Sequence, residues 1–122
     1  MSSDYEQLLR GAYDAFNARD IDAAVALMQP DVDWPNAWEG GRARGHEAVR
    51  AYWQRQFAAI DPHVEPTQVT PAGEGRVAVE VHQVVRDKEG NLLGEGRVIH
   101  LYTIREGLIE RMDVEEPAPR GS

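Results

Sequence analysis

The fold class that the sequence predicts is α+β: three helices packed on a curved antiparallel sheet. Two observations carry it. As far as Ile60 the apolar residues recur at helical spacing, and beyond Asp61-Pro62 they alternate. Gly73-Glu-Gly75, Lys88-Glu-Gly-Asn91 and Glu106-Gly107 then punctuate the alternating stretch as turns, leaving four strands joined in a meander. A chain of 122 residues is long enough for one domain with a real core and too short for two.

The first helix is expected from about Asp4 to Ala18. Ser3 and Glu6 have capping-box spacing, and Tyr5, Leu9, Ala12 and Phe16 form one stripe. Asn17-Ala-Arg-Asp20 breaks it, and Asp20 caps a second helix reaching Met28 that Pro30 ends. Asp31-Val-Asp-Trp34 is a short extended piece stopped by Pro35, and residues 36–45 are a glycine-containing loop. The third helix runs from about His46 to Ile60. Val49, Tyr52, Trp53, Phe57 and Ile60 mark its buried face, with the polar Gln56 on that same face. Strands are expected at about 63–71, 75–87, 92–105 and 108–116. The domain thus covers residues 1–116, and Pro117 to Ser122 form a disordered tail.

Composition excludes several function classes. Zero Cys removes disulfides, thiolate catalysis and Cys-ligated zinc together. Thirteen basic against 21 acidic residues give a net charge of −8, which repels phosphate backbones, so nucleic acid is not an expected partner. No apolar run approaches the roughly 20 residues of a membrane span, and no basic-apolar leader opens the chain; a cytoplasmic protein is expected. Gly40 and Gly41 do not follow the strand-to-helix glycine pattern of nucleotide loops, and His46, His82 and His100 lack metal-ligand spacing. Neither a cofactor nor a metal is expected.

The last hairpin points to a site. With Glu106-Gly107 as a two-residue turn, Arg105 pairs with Leu108, Ile104 faces Ile109, Tyr102 faces Arg111 and His100 faces Asp113. Directly opposed side chains lie about 5 Å apart at Cβ, so a His–carboxylate pair is expected. Alternation sorts the sheet into two sets. Val77, Val79, Val81, Val85, Ile99, Leu101, Met112 and Val114 form one, suited to a second subunit. Ala78, Glu80, His82, Val84, Val98, His100, Tyr102, Ile104, Ile109, Arg111 and Asp113 form the other, suited to a pocket.

Tyr13-Asp-Ala-Phe-Asn-Ala-Arg-Asp20, Pro30-Asp-Val-Asp-Trp34, Gly41-Arg-Ala-Arg-Gly45 with Ala48-Val49, and the hairpin from His100 to Asp113 occur in an order that resembles the NTF2-like superfamily. Within it the chain is similar to the SnoaL-like group of polyketide cyclases and ketosteroid isomerases, over about residues 4–116. The resemblance implies a cone-shaped α+β fold whose open mouth leads to an apolar pocket, usually in a homodimer. In SnoaL-like cyclases a His and an Asp on consecutive late strands serve the acid–base step, and His100 and Asp113 match them in position and type. In ketosteroid isomerases the base is an Asp after helix two and a helix-one Tyr helps form the oxyanion hole. Those positions fall on Asn36 and Ala12 here, so that mechanism is not expected.

The functional expectation is a cofactor-independent enzyme performing cyclisation, isomerisation or dehydration on an apolar carbonyl- or hydroxyl-bearing molecule. Asp113 would fix the His100 tautomer and raise its pKa above about 6.5. Trp34, Trp38 and Trp53 would wall the substrate, while Asn36, Gln56, Glu80, His82, Tyr102 and Arg111 would supply polar contacts. The alternatives are that His100 and Asp113 only close the sheet, that the aromatics are plain core, and that the domain is a non-catalytic ligand-binding or dimerisation module.

Overall fold

The computed structural model describes residues 4–36 and 40–115. Ser3, Trp38 and the tail from Pro117 lie outside them, as do the expectations placed on those residues. The elements run α1 (Asp4–Asn17), α2 (Ile21–Val25), β1 (Met28–Pro35), β2 (Arg42–Arg44), α3 (His46–Ala59), β3 (Ile60–Pro71), β4 (Arg76–Asp87), β5 (Leu92–Arg105) and β6 (Leu108–Glu115). The six strands form one curved sheet in the order β2-β1-β6-β5-β4-β3.

The stripe of α1 buries Leu9, Ala12 and Tyr13 against the sheet. Arg19 ends the helix in the left-handed region (φ 65°), and the Asp20 N–H reaches back to the Ala15 carbonyl at 2.8 Å. Asp20 caps α2 by accepting from the Ala23 N–H at 3.1 Å. Gly45 starts α3 at φ 87°, a conformation a side chain would strain.

Three expectations need correction. Helix α2 stops at Val25 instead of Met28, because Met28 pairs with Ile109 and the Ile109 N–H donates to the Leu27 carbonyl at 2.9 Å. Tertiary pairing there outweighs local helix propensity. Strand β2 occupies part of the stretch read as loop, so β1 and β2 precede α3 and the helices are not all N-terminal to the sheet. Finally, β1 runs parallel to β6, which makes the sheet mixed instead of a pure antiparallel meander.

The predicted turn is present. Glu106 (φ 54°) and Gly107 (φ 78°) both adopt positive φ, as a two-residue hairpin of this twist requires, and Arg105 pairs with Leu108 and Ile104 with Ile109. The ladder then slips by one: Thr103 pairs with Arg111, skipping Glu110. Such a bulge lets Ile109 (fully buried) and Met112 (3% exposed) share the inner face despite their odd spacing. Tyr102 therefore faces Met112, His100 faces Val114, and Asp113 faces Leu101.

One further slip sets β4 against β5. Val85 pairs with Gly94 but Arg86 with Leu92, so Val77 lies opposite Tyr102 and Val79 opposite His100. The two predicted face sets are thus mixed. The inner face carries Val77, Val79, Val81, Val85, His100, Tyr102, Ile109 and Met112; the outer carries Glu80, His82, Ile99, Leu101, Arg111 and Asp113.

One polar clamp joins α1 to the sheet. Asn17 donates from Nδ2 to the Val64 carbonyl (2.7 Å) and accepts from the Val64 N–H at Oδ1 (3.0 Å). Asn17→Ala leaves both buried backbone groups unpaired. It is expected to lower the unfolding free energy by about 2 kcal/mol in urea titrations, with the denaturant slope unchanged.

Candidate functional site

Between α1, α3 and the inner face of the sheet lies a cavity of about 300 Å³. Its wall is mostly apolar and aromatic: Ala12, Phe16, Met28, Trp34, Trp53, Ile60, Pro62, Val64 and Val85. Trp34 and Trp53 meet edge to face at 5.4 Å, and Phe16 meets Trp53 likewise at 5.5 Å. Polar character comes from Tyr13, Tyr52, Gln56, Gln83, His100 and Tyr102. No Asp, Glu, Lys or Arg belongs to the lining among the described residues.

The deepest polar feature is a chain of three side chains. The Tyr102 hydroxyl donates to the Tyr13 oxygen at 2.8 Å, and Tyr13 lies 2.8 Å from His100 Nδ1. Exposure is 8% for His100, 4% for Tyr13 and 1% for Tyr102, so these bonds form out of water. The Tyr13 ring stacks on the imidazole at a centroid distance of 5.8 Å, and Tyr102 closes the group edge-on. Burial pushes the His100 pKa down to about 4 and both phenol pKa values up, leaving all three groups neutral at pH 7.

His100 and Asp113 do not form a pair. The Glu110 slip turns Asp113 to the outer face, where it joins Arg111 (2.9 Å), Arg42 and, through both arginines, Asp33. The Arg111 guanidinium holds the Asp113 carboxyl below the usual carboxylate range. The pKa expectation for His100 is overturned in the same way: no carboxylate raises it and burial lowers it. Arg111 belongs to this outer network, which pins β1, β2 and β6 together.

Glu80 and His82 are also outside the pocket. The β4–β5 register points them outward, where Glu80 accepts from Arg97 (3.1 Å) and His82 meets Glu95 (2.8 Å). Asn36 is buried at 8% exposure but is not part of the cavity wall; its carbonyl accepts from the Gly40 N–H at 2.7 Å. Trp34, Trp53, Gln56 and Tyr102 do line the cavity together with His100. Tyr13, which the sequence singles out only within the first family motif, and Gln83, which it does not single out, line the cavity as well. Tyr13 follows Leu9 by four residues on the buried stripe, and a buried phenol needs a partner, which was the available signal.

A family model for the SnoaL-like domain matches residues 9–112. The chain belongs to that family. Among solved structures, this SnoaL-like domain is similar to TerC co-crystallized with polyporic acid (TM-score 0.82, 23% identity, 94% of this chain and 92% of that one). It is similar to a putative polyketide cyclase from Xanthomonas campestris pv. campestris (TM-score 0.76, 27% identity, 91% and 88%). It also resembles a Mycobacterium tuberculosis protein in complex with estradiol-17beta-hemisuccinate (TM-score 0.79, 23% identity, 93% of each chain). No curated protein gives a significant match. No helix among the described residues is long and apolar enough to cross a membrane.

Proposed function

We propose that this SnoaL-like domain binds an uncharged, largely apolar small molecule carrying one hydrogen-bonding oxygen, with His100 as its polar anchor. The observation that carries this reading is the cavity lining: a concave, mostly apolar wall that includes His100 and no charged side chain among the described residues. A volume of about 300 Å³ suits a ligand of two or three rings. A charged ligand would lose its hydration there with no counter-charge. Neighbours that hold polyporic acid or estradiol-17beta-hemisuccinate support small-molecule binding by this fold; both of those molecules are acids, and the uncharged character proposed here rests on the lining of this cavity alone.

Trp34 and Trp53 line the cavity, so quenching of intrinsic fluorescence tests the proposal directly. The neutral ketone 2-acetylnaphthalene is expected to quench saturably. His100→Phe should weaken it about 3- to 10-fold, the worth of one hydrogen bond. Asp113→Asn, altered on the other side of the sheet, should leave the affinity unchanged. Absence of saturable quenching, or equal losses in both variants, would overturn the assignment.

A second reading, a cyclase- or isomerase-type enzyme, is favoured by the same His100 and by the polyketide-cyclase neighbour. A base held near pKa 4 is weak at pH 7. In this reading His100 therefore acts as a neutral donor that stabilises developing charge on a carbonyl oxygen. Turnover that falls in His100→Phe and persists in Asp113→Asn would select it. We also propose a homodimer through the outer sheet face, supported by the half-buried Ile99 and Leu101 there.

A further inference from the structure

We infer that Tyr13 is a positioning residue that locks His100 as the Nε2–H tautomer, with Tyr102 closing the chain behind it, so that the cavity offers a ligand a hydrogen-bond donor and no acceptor at that point. This rests on the ligand-binding reading for its consequence, but the tautomer itself is a property of the empty protein.

The argument is a proton count along the chain. Neutral His100 has one ring proton, and each phenol has one. Three orderings are consistent with two 2.8 Å contacts. One, in which the Tyr13 oxygen accepts from both Tyr102 and Nδ1–H, leaves the Tyr13 proton, on a side chain 4% exposed, without an acceptor. Two remain. In the first, Tyr102 donates to Tyr13 and Tyr13 donates to Nδ1, which places the ring proton on Nε2. In the second, Nδ1–H donates to Tyr13 and Tyr13 donates to Tyr102. The Tyr102 proton then has no acceptor, because the only hydrogen-bond partner of its hydroxyl among the described residues is Tyr13. Tyr102 is 1% exposed, so water does not serve it either.

A buried donor without an acceptor is costlier than an acceptor with a spare lone pair. The first ordering leaves only such lone pairs in the interior. Its one unused donor is Nε2–H, and that atom is accessible. No buried side-chain nitrogen or oxygen among the described residues lacks a partner, and Nε2 has no partner among those residues. Since His100 lines the cavity, Nε2–H is the group a ligand meets. Tyr102 closes the chain in the wild type, and Tyr13, by donating to Nδ1, sets the tautomer.

The specificity consequence is a preference for ligands that bring an acceptor such as a ketone oxygen. An isosteric hydrocarbon leaves Nε2–H unpaired, and a ligand whose only polar group is a donor N–H meets another donor. Long-range proton–nitrogen correlation spectra of protein with labelled histidine test the lock without any ligand, with His100→Gln identifying the signal among the four histidines. The wild type is expected to show protonated Nε2 and unprotonated Nδ1. Tyr102→Phe should keep that pattern, because Tyr13 then becomes the closed end and still donates. Tyr13→Phe should give an averaged pair.

A wild-type spectrum showing protonated Nδ1, or averaging, overturns the inference even if Tyr13→Phe fails to fold. The second measurement compares 2-acetylnaphthalene with the isosteric hydrocarbon 2-isopropenylnaphthalene. A ketone preference of about 3- to 10-fold is expected in the wild type and its loss in Tyr13→Phe. If neither probe binds while the tautomer is as stated, the ligand-binding reading fails and the lock stands. If both bind equally to a protein with the stated tautomer, the specificity consequence is overturned.

Discussion

Val79→Asp is expected to leave the chain unfolded, whereas Ile99→Asp is expected to keep the fold and, on the proposed dimer, to separate the two copies. Val79 is fully buried opposite His100 on the inner face, and Ile99 lies opposite Glu80 on the outer. A carboxylate at position 79 would have no cation within the apolar core. Burying it costs several kcal/mol, much of the 5–15 kcal/mol typical of a domain this size. At position 99 the new carboxylate keeps its water in a single copy and loses it only when a second sheet covers it. Circular dichroism distinguishes the folded from the unfolded variant, and light scattering reads the mass. A folded Val79→Asp protein, or an unfolded Ile99→Asp protein, would reverse the face assignment. A wild type that scatters as a single 13.7 kDa chain at micromolar concentration would end the dimer proposal.

Acidification should destabilise the protein through His100 in a window that opens at about pH 6.5, above the usual carboxylate range, and closes near pH 4. Its pKa is about 4 in the folded chain against about 6.5 unfolded. Above pH 6.5 both states carry a neutral imidazole, so nothing is lost. As pH falls below that value the unfolded chain takes up a proton that the folded chain refuses. The loss grows until about pH 4 and totals about 3 kcal/mol. Urea unfolding of wild type and His100→Gln between pH 7 and 4.5 isolates this contribution as the difference in slope. Equal slopes would show that the imidazole is not held neutral by burial, and a stability that rises on acidification would show a charged partner in the folded state.

Much of the fold was legible because it is written in periodicity. The stripe of α1, the apolar face of α3 and the turn at Glu106-Gly107 all lie close to where pattern places them. So does the cap at Asp20. The site was legible in part: Trp34, Trp53, Gln56, Tyr102 and His100 share the cavity. The partner assigned to His100 was wrong because facing in a strand is a parity, and one slipped residue reverses it. Two signals bore on that slip. Ile109 and Met112 are both core-type residues at an odd spacing, and Glu110-Arg111 is an adjacent polar pair between them. A regular strand would expose one of the two apolar residues. The parallel pairing of β1 with β6 left no comparable trace, since it joins segments far apart in the chain.

Thr67 on β3, Leu93 on β5 and Glu110 on β6 each stand unmatched where two long strands slip by one. The pairs on either side of each already occupy the positions that an uninterrupted ladder would give them. Deleting one of these residues would therefore straighten its strand while every remaining neighbour kept its own face. Inserting another at the same place would bend it further. Point substitutions alter which groups a ligand touches; length changes at these three positions would alter how wide the cup opens around the same groups. On the proposed ligand-binding reading, the size and the chemistry of the chamber can thus vary separately, and a change in strand length would admit bulkier or slimmer ligands with His100 kept in place.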